Sequence, residues 1–369
     1  MKEKRVGILT YHRAMNYGAL LQAYALQEKI KELGAQCNII DYRNIILENN
    51  NRKLTLFSCR KFKELILFIL RGRAYNHKLQ KFRAFGEKYF NLSAPCLRID
   101  DVRRISPGYD EFICGSDQVW NHKINGFDET YYLNFLDDQT KKNSYAASFG
   151  FKQIPEEYRE RYKSLLENYN KLSVRERQGA EIIKDLLGYA PQIVLDPTML
   201  LTEERWLEII KPYQYPKKYI LVYCFSHEDK VIALAKKIAK KTGYDVISIL
   251  KPYTPHLGVK YEIKLAPDEF LGLFVGAEYI VTNSFHGTAF SIIFNKQFFT
   301  EFLPEELNVN SRLEDILELF GLKDRIIKSD DPAVIENKIN YDVVNKKLIA
   351  EREKSTKFLK EIVGISGGI

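Results

Sequence analysis

VTNSFHGTAFS, residues 281–291, contains the strand-to-helix alternation on which the fold prediction rests. The apolar, β-branched residues 279–282 predict a short strand, and the small residues 288–294 predict a helix. A strand that runs directly into a helix is the repeating unit of parallel α/β sheets. His286 stands between the two predicted elements. A histidine at this place either packs against or caps the helix, or it delivers a proton to a bound anion.

The same alternation continues on both sides of this junction and predicts an α/β fold. The predicted strands are residues 6–11, 37–42, 111–114, 143–148, 172–175, 192–195, 219–224, 245–250, 279–282 and 298–302. The predicted helices are residues 18–33, 178–187, 229–241, 267–276, 312–320 and 332–359. A boundary falls at LDPTMLLTEERW, where Pro197 ends a strand and Thr202 can cap a new helix.

We therefore predict two Rossmann-like domains, with open parallel sheets facing a cleft. The N-terminal domain is residues 1–196 and includes a basic helical insertion at about residues 45–104. The second domain is residues 197–330, and residues 331–369 form a C-terminal helical segment.

The composition argues against a disordered or membrane-spanning chain. Of 369 residues, 45% are hydrophobic and 13% aromatic, which is enough to fill two cores. The longest apolar run, residues 65–70, falls far short of the roughly 18 residues that a membrane span needs. The N-terminal residues enter a strand-like run without a leader pattern, so a cytoplasmic protein is predicted. The five cysteines have no CxxC spacing, so we expect no metal, disulfide framework or cofactor.

Positive charge is concentrated in residues 52–104, which hold fourteen Lys and Arg against four acidic residues. Apolar residues recur among these cations at roughly helical spacing. This pattern suits an anionic membrane face or a lipid-diphosphate substrate. An ordinary amphipathic helix pair with a solvated basic face is the simpler explanation. No nucleic-acid-binding motif accompanies the charge, so nucleic acid is not an expected partner.

Unusual polar clusters follow several predicted strands, where open parallel sheets bind ligands. After the first strand, His12 precedes a loop that opens a helix, whose N-terminus favours an anion or a sugar oxygen. After the third, FICGSDQVWN places amides and a carboxylate beside an indole, the groups that bind sugar hydroxyls and ring faces. In this cluster, Asp117 either caps the next helix or acts as a general base toward a hydroxyl. The predicted acceptor-binding residues are His12, Asn16, Tyr17, Gly18, Ser116, Gln118, Trp120 and Asn121.

Two further clusters suit an anionic donor. Arg175, at the end of a strand in LSVRERQGA, can grip a carboxylate or phosphate, or form an ion pair on the helix surface. At the opening junction, the N–H groups of the capped helix suit a phosphate, and His286 is placed to deliver a proton. The predicted donor-binding residues are Arg175, Asn283, Ser284, Gly287, Thr288 and Arg312, with His286 and Asp117 as catalytic residues and His227 as a further candidate.

Six motifs follow one another along the chain: NYGALLQAYALQ, GSDQVWN, SYAASFG, SVRERQG, VLDPT and SFHGTAFSIIF. In this combination, over about residues 5–325, they resemble the polysaccharide pyruvyl transferase family. The resemblance implies a GT-B fold and a transferase that uses phosphoenolpyruvate. Its pyruvyl group would form a cyclic ketal on a sugar of a cell-surface polysaccharide, an exopolysaccharide for example, or on its lipid-linked precursor. Many members carry an arginine two residues before the histidine that corresponds to His286, where this chain has Ser284.

The resemblance also implies roles for single residues. His286 is the acid toward phosphoenolpyruvate, whose carboxylate lies on Arg175 and whose phosphate lies on the N–H groups of Thr288 and Ala289. Asp117 relieves the attacking hydroxyl of its proton. The first domain takes the acceptor and the second the donor.

The implied partners are phosphoenolpyruvate and a sugar or lipid-linked oligosaccharide. Residues 52–104 would give peripheral contact with the inner face of the membrane. Two alternatives remain open: a GT-B glycosyltransferase that uses a nucleotide-sugar, and a non-catalytic glycan-binding protein.

Overall fold

The computed structural model describes residues 3–54, 62–225, 229–250, 255–304, 310–328 and 335–364, with the backbone alone for residues 62–71. Its strands are β1 (Arg5–Leu9), β2 (Gln36–Ile39), β3 (Glu111–Cys114), β4 (Lys142–Ser144), β5 (Ser173–Val174), β6 (Gln192–Ile193), β7 (Tyr219–Tyr223), β8 (Asp245–Ser248), β9 (Val259–Tyr261), β10 (Tyr279–Thr282) and β11 (Gln297–Thr300). Its α-helices are α1 (Tyr17–Glu32), α2 (Ile45–Asn50), α3 (Phe62–Tyr89), α4 (Ile99–Ile105), α5 (His122–Asn125), α6 (Arg159–Leu166), α7 (Arg177–Leu187), α8 (Glu203–Leu207), α9 (Asp229–Thr242), α10 (Pro267–Gly276), α11 (Phe285–Ile293), α12 (Ser311–Phe320) and α13 (Tyr341–Val363).

The chain divides into two compact units. Unit 1 comprises Met1–Arg52, Gly86–Leu201 and Ile349–Ile369, and unit 2 comprises Lys53–Phe85 and Thr202–Leu348. This division differs from the sequence-based one, in which the whole basic insertion belonged to the first domain and residues 331–369 stood apart. In the structure, most of the insertion belongs to unit 2, and α13 supplies residues to both units. Hydrophobic periodicity locates a helix but does not show which core it packs against.

The sheet of unit 1 has the strand order β2-β1-β3-β4, and each neighbouring pair is parallel. A parallel bridge between Ala147 and Val174 continues this order from the chain after β4 to β5, which pairs with β6. The order changes direction between β1 and β3. In open α/β sheets, ligands bind at the carboxyl ends of the strands on either side of such a switch point.

The sheet of unit 2 has the order β11-β10-β7-β8-β9, again with parallel neighbours. Counted from its first strand, this is the doubly wound order 3-2-1-4-5, with the switch point between β7 and β10. Every residue of these two central strands is buried, as expected for strands covered by helices on both faces. The carboxyl end of β10 is the junction that contains His286.

Each predicted strand has a counterpart in the structure, and β3 and β10 match the prediction to the residue. The sequence missed β9, whose three residues lie at the edge of the sheet and have no continuous apolar pattern. It also placed one helix start too late, because α11 begins at Phe285 and therefore includes His286 in its first turn. The last helix was predicted from residue 332, which lies outside the described residues, whereas α13 begins at Tyr341. In the part of the chain that is described, no helix has the length and apolar content to cross a membrane.

Candidate functional site

The switch point of unit 2 is formed where β10 runs into α11. Ser284 caps the helix, and its Oγ accepts the N–H of Gly287 at 3.3 Å. This cap explains why the helix includes the histidine: the N-cap residue lies before His286 rather than after it. The side chain of His286 projects from the first turn of α11, and the residue is 6% exposed.

Thr282, the last residue of β10, fixes the path of the chain into this helix. Its Oγ1 donates to the carbonyl of Tyr223 on β7 and accepts the N–H of Ser284 at 3.0 Å. Gly287 lies directly over this hydroxyl: a Cβ on Gly287 would be 2.3 Å from Thr282 Oγ1 and 3.0 Å from Tyr223 Cδ1. Glycine at 287 therefore permits the close approach of α11 to both central strands.

Gly287→Ala is expected to displace the first turn of α11, because the added methyl group overlaps buried atoms that cannot move away. We expect a loss of about 1 to 3 kcal/mol in the free energy of unfolding, measured by denaturant titration. The matched control is Gly108→Ala, where the nearest atom to the new Cβ is Arg5 Nη1 at 3.8 Å. Equal stability of the two variants would contradict the close packing described for Gly287.

Four of the predicted donor-binding residues serve the fold at this junction: Asn283, Ser284, Gly287 and Thr288. The N–H of Thr288 donates to the carbonyl of Ser284 at 3.0 Å, and Thr288 and Ala289 are fully buried. The expectation that these two N–H groups hold a phosphate is therefore wrong, because it placed the helix start three residues too late. Asn283 Oδ1 accepts the N–H of Phe225 at 3.1 Å and so links the ends of β10 and β7.

Two charged residues, Arg312 and Glu301, also lie at this edge of unit 2. Arg312 lies in α12, which packs against α11. Glu301 follows β11, is 7% exposed, and donates its N–H to the carbonyl of Thr282 at 2.9 Å. This buried acid was not among the residues predicted from the sequence. The signal was present, since Glu301 follows an apolar strand, as do the residues that were singled out. His227, the further candidate, lies outside the described residues.

The switch point of unit 1 is held together by a chain of hydrogen bonds between β1, α1 and the residues after β3. Thr10 Oγ1 donates to the carbonyl of Ser116 at 3.0 Å and accepts from Gln22 Nε2 at 2.8 Å. Gln22 Oε1 in turn accepts the N–H of Ser116 at 3.2 Å. Because every partner is buried, these bonds define one position for the turn that presents Asp117.

Asp117 has a backbone conformation that is uncommon for a residue other than glycine, with φ of 73°. Its carbonyl accepts the N–H groups of Val119 at 2.8 Å and Ser148 at 2.9 Å, which hold this conformation in place. Left-handed backbone at such residues is concentrated at functional sites. The side chain is 14% exposed.

Arg175 is the centre of a buried charge cluster in the same unit. Its side chain is 1% exposed, and Nη1 donates to Asp196 Oδ2 at 2.7 Å. Nη2 lies 3.5 Å from Asp117 Oδ1, and Nε lies 3.6 Å from Glu176 Oε2. Burial lowers the pKa of the Arg175 guanidinium, but the three carboxylates outweigh burial and raise this pKa above its usual value. Arg175 therefore remains a cation.

The three carboxylates around Arg175 differ in their access to solvent. Those of Asp196 and Glu176 are 0% and 3% exposed, against 14% for Asp117. Glu176 Oε1 also accepts from Ser148 Oγ at 2.6 Å. The guanidinium thus contacts two fully buried carboxylates and holds a third at the solvent edge. The sequence pattern predicted that Arg175 is either a donor ligand or part of a surface ion pair, and this buried cluster is not a surface ion pair.

His12 also lies in a buried ionic cluster. Its Nε2 is 3.2 Å from Asp41 Oδ1, and Arg43 Nη2 donates to Asp41 Oδ2 at 2.8 Å. Burial raises the pKa of Asp41, but the hydrogen bonds from His12 and Arg43 outweigh burial and hold this pKa well below its usual range. His12 is 4% exposed, so it supports the edge of the sheet rather than offering an open imidazole.

The other predicted acceptor-binding residues fall into a partly exposed group and a buried group. Asn16 and Gln118 keep part of their surface, whereas Tyr17, Gly18, Ser116 and Asn121 are buried. Trp120 is 0% exposed and packs against Tyr132 and Phe149 with ring centroids 6.3 and 5.2 Å away. The prediction that Trp120 stacks on a sugar is wrong, because both faces of its indole belong to the core of unit 1.

Several cations of the basic segment, residues 52–104, are buried or form ion pairs within the protein. Lys81 Nζ lies 2.6 Å from Glu269 Oε2, and burial lowers the pKa of Lys78 to about 8. Arg103 and Arg104 pair with Asp100 and Asp101 of their own helix.

Two kinds of comparison with known proteins gave matches: a sequence-family model shows the family, and solved structures show the fold. The family model described as polysaccharide pyruvyl transferase matches residues 16–300. No curated protein matches the sequence. A solved structure from Listeria monocytogenes, described as a UDP-N-acetylglucosamine 2-epimerase, has a TM-score of 0.55 and 10% identity over 99% of this chain and 98% of that one. The S. aureus MnaA–UDP structure has a TM-score of 0.50 and 10% identity, over 97% and 91%. Similarity at this identity shows the fold alone, and it confirms a GT-B-like α/β architecture with two Rossmann-like units.

Proposed function

The chain belongs to the polysaccharide pyruvyl transferase family, and from this membership we propose that it transfers the pyruvyl group of phosphoenolpyruvate to a sugar. Two hydroxyls of the sugar and C2 of the pyruvyl group form a cyclic ketal. The sugar belongs to a cell-surface polysaccharide or to its lipid-linked precursor.

One observation carries this proposal: His286 lies in the first turn of α11 at the switch point of unit 2. A helix N-terminus at a switch point favours an anionic ligand, because the positive end of the helix dipole is directed toward the carboxyl ends of the strands. An imidazole in that first turn can give a proton to the ligand. We assign donor binding to this edge of unit 2, with Arg312 on the neighbouring helix as the candidate cation.

The reaction follows from the chemistry of an enol phosphate. His286 protonates the methylene carbon, which becomes the methyl group, and positive character develops at C2. The first sugar oxygen bonds to C2, the bond from C2 to the phosphate oxygen breaks, and inorganic phosphate leaves. The second sugar oxygen then bonds to C2 and closes the ring. The two hydroxyls lose two protons, of which one balances the new methyl hydrogen and the other leaves with the phosphate.

Unit 1 is assigned the acceptor. Asp117 is the partly exposed carboxylate of the Arg175 cluster, and it can accept a proton from a sugar hydroxyl. The contacts of Arg175 support a positioning role, in which its guanidinium orients the carboxylate of Asp117. Asn16 and Gln118 are the partly exposed amides of this unit that can hydrogen-bond sugar hydroxyls.

Phosphate release from phosphoenolpyruvate tests the proposed function directly. With a panel of galactose- and mannose-type acceptors, we expect release that depends on the acceptor, with one pyruvyl ketal formed per phosphate. The ketal methyl group is followed by NMR. Calorimetry should also show that phosphoenolpyruvate binds to the protein without an acceptor. Thermal stabilisation by a nucleoside diphosphate and not by phosphoenolpyruvate would instead favour a glycosyltransferase, and would overturn the proposal.

A further inference from the structure

An exposed apolar surface lies on unit 1 beside the end of β2. Ile45 is 70% exposed, Ile46 39% and Leu97 65%. Tyr42 and Cys96 form a parallel bridge, so Leu97 runs alongside the chain that enters α2 at Ile45. We call these three apolar side chains, Ile45, Ile46 and Leu97, the apolar rim.

Hydrogen bonds fix the backbone of the two segments that carry the apolar rim. Asn44 caps α2, and its Nδ2 donates to the carbonyl of Asn125 at 3.1 Å and to Asp128 Oδ2 at 2.7 Å. Cys96 accepts the N–H of Arg43 at 2.8 Å, which fixes the start of the second segment. None of the residues of α2 is buried. The structure therefore presents isoleucine and leucine side chains to solvent from a fixed backbone.

Two cations flank the apolar rim. Arg98 follows Leu97 and is exposed, and Lys123 lies exposed on α5, which packs against α2. Neither forms an ion pair with another residue in the described part of the chain. Apolar side chains beside exposed cations are complementary to an anionic lipid surface. The acyl region of the lipid accommodates the apolar side chains, and the anionic headgroups attract the cations.

We propose that the apolar rim, with Arg98 and Lys123, docks unit 1 on an anionic membrane. The rim lies at the carboxyl end of the unit 1 sheet, the edge that also presents Asp117. Docking through the apolar rim brings the acceptor-binding edge of unit 1 to the lipid surface. We therefore infer that the acceptor is lipid-linked. This last step rests on the proposed function, whereas membrane docking does not.

A second copy of the chain is the competing occupant, and the size of the surface argues against it. The apolar rim consists of three side chains, whereas each partner in a standard protein interface contributes roughly 20–30 residues and buries about 800 Å². A membrane needs no such area, since a few inserted side chains and nearby cations suffice for reversible binding.

Vesicle co-sedimentation tests the docking surface with the full chain. We expect binding to vesicles of phosphatidylcholine and phosphatidylglycerol, and little binding to phosphatidylcholine alone. The double change Ile45→Ser with Leu97→Ser should lower the partition coefficient at least about tenfold. Arg98→Gln and Lys123→Gln should each lower it about fivefold. The matched control is Ile193→Ser on β6, which is 46% exposed and should bind like the wild type.

Several outcomes would overturn the docking proposal. These are a wild type that ignores anionic vesicles, a double variant that binds them as the wild type does, and equal losses in the double variant and the Ile193→Ser control. A wild-type dimer that the double change converts to a monomer, seen by light scattering, would assign the rim to a second copy. Phosphate release with a water-soluble acceptor is measured in parallel. If vesicle binding holds and transfer fails, the proposed function is wrong and the docking surface stands.

Discussion

His286→Asn is expected to abolish nearly all turnover while leaving the fold intact. Asparagine keeps a polar side chain of similar length but cannot give a proton to the methylene carbon of phosphoenolpyruvate. Loss of a general acid costs on the order of 10² to 10⁴ in rate. The measurement is acceptor-dependent phosphate release, together with the melting temperature of each variant. Phosphoenolpyruvate should still bind, because the proton transfer stabilises the transition state rather than the bound donor.

The matched control is His77→Asn, because His77 lies exposed on α3 and far along the chain from the switch-point residues of unit 2. It should retain wild-type turnover. Near-normal activity of His286→Asn would remove this histidine from the mechanism. If the variant fails to bind phosphoenolpyruvate, His286 holds the donor instead of protonating it.

Arg175→Met is expected to lower the free energy of unfolding by about 3 to 5 kcal/mol, because it leaves the buried carboxylates of Asp196 and Glu176 without their shared cation. Methionine fills much of the same volume, so the lost charge dominates the effect. Arg175→Lys should lie between the wild type and methionine, since a lysine cannot span three carboxylates with one planar group. Denaturant titration measures all three proteins.

Adding Asp196→Asn to Arg175→Met should restore part of the lost stability, because one uncompensated buried charge is then removed. The surface control is Arg103→Met. Arg103 pairs with Asp100 at 2.6 Å with both side chains about half exposed or more, and its loss should cost at most about 1 kcal/mol. If Arg175→Met is as stable as the wild type but no longer binds phosphoenolpyruvate, Arg175 is a donor ligand and not a positioning residue.

The sequence predicted the parts of the fold that depend on local pattern. Runs such as residues 279–282 are apolar over the full length of a buried strand, and the helices that follow them have caps or glycines at their ends. The start of α11 was misplaced because only the small residues from Thr288 onward were predicted to be helical, although Ser284 and Asn283 were both possible caps. The hydrogen bond from the Gly287 N–H to Ser284 Oγ shows that Ser284 is the cap and that the helix begins directly after it.

The candidate site was harder to predict, because its side chains find partners far along the chain. Asp196 and Asp117 approach Arg175 from 21 residues after it and 58 residues before it. Trp120 stands among polar residues, a pattern that predicted an indole stacked on a sugar. Its burial depends on Phe149 and Tyr169, whose place beside it is set by the sheet order. The local sequence pattern thus located the strand ends. It could not distinguish the polar or aromatic residues that face solvent from those that are buried beneath them.

The return of the chain to unit 1 at Ile349 has a consequence for synthesis on the ribosome. The N–H of Leu195 donates to Ser355 Oγ at 2.9 Å, and Arg352 donates to the carbonyls of Met199 and Leu201. The strands of unit 1 are therefore translated long before the helix that closes their last turns. At the usual rate of elongation, unit 1 waits roughly 10 to 30 s for these residues while unit 2 is translated. In that interval the nascent chain exposes the part of unit 1 that α13 later covers, and transiently exposed apolar surface of this kind is prone to aggregation.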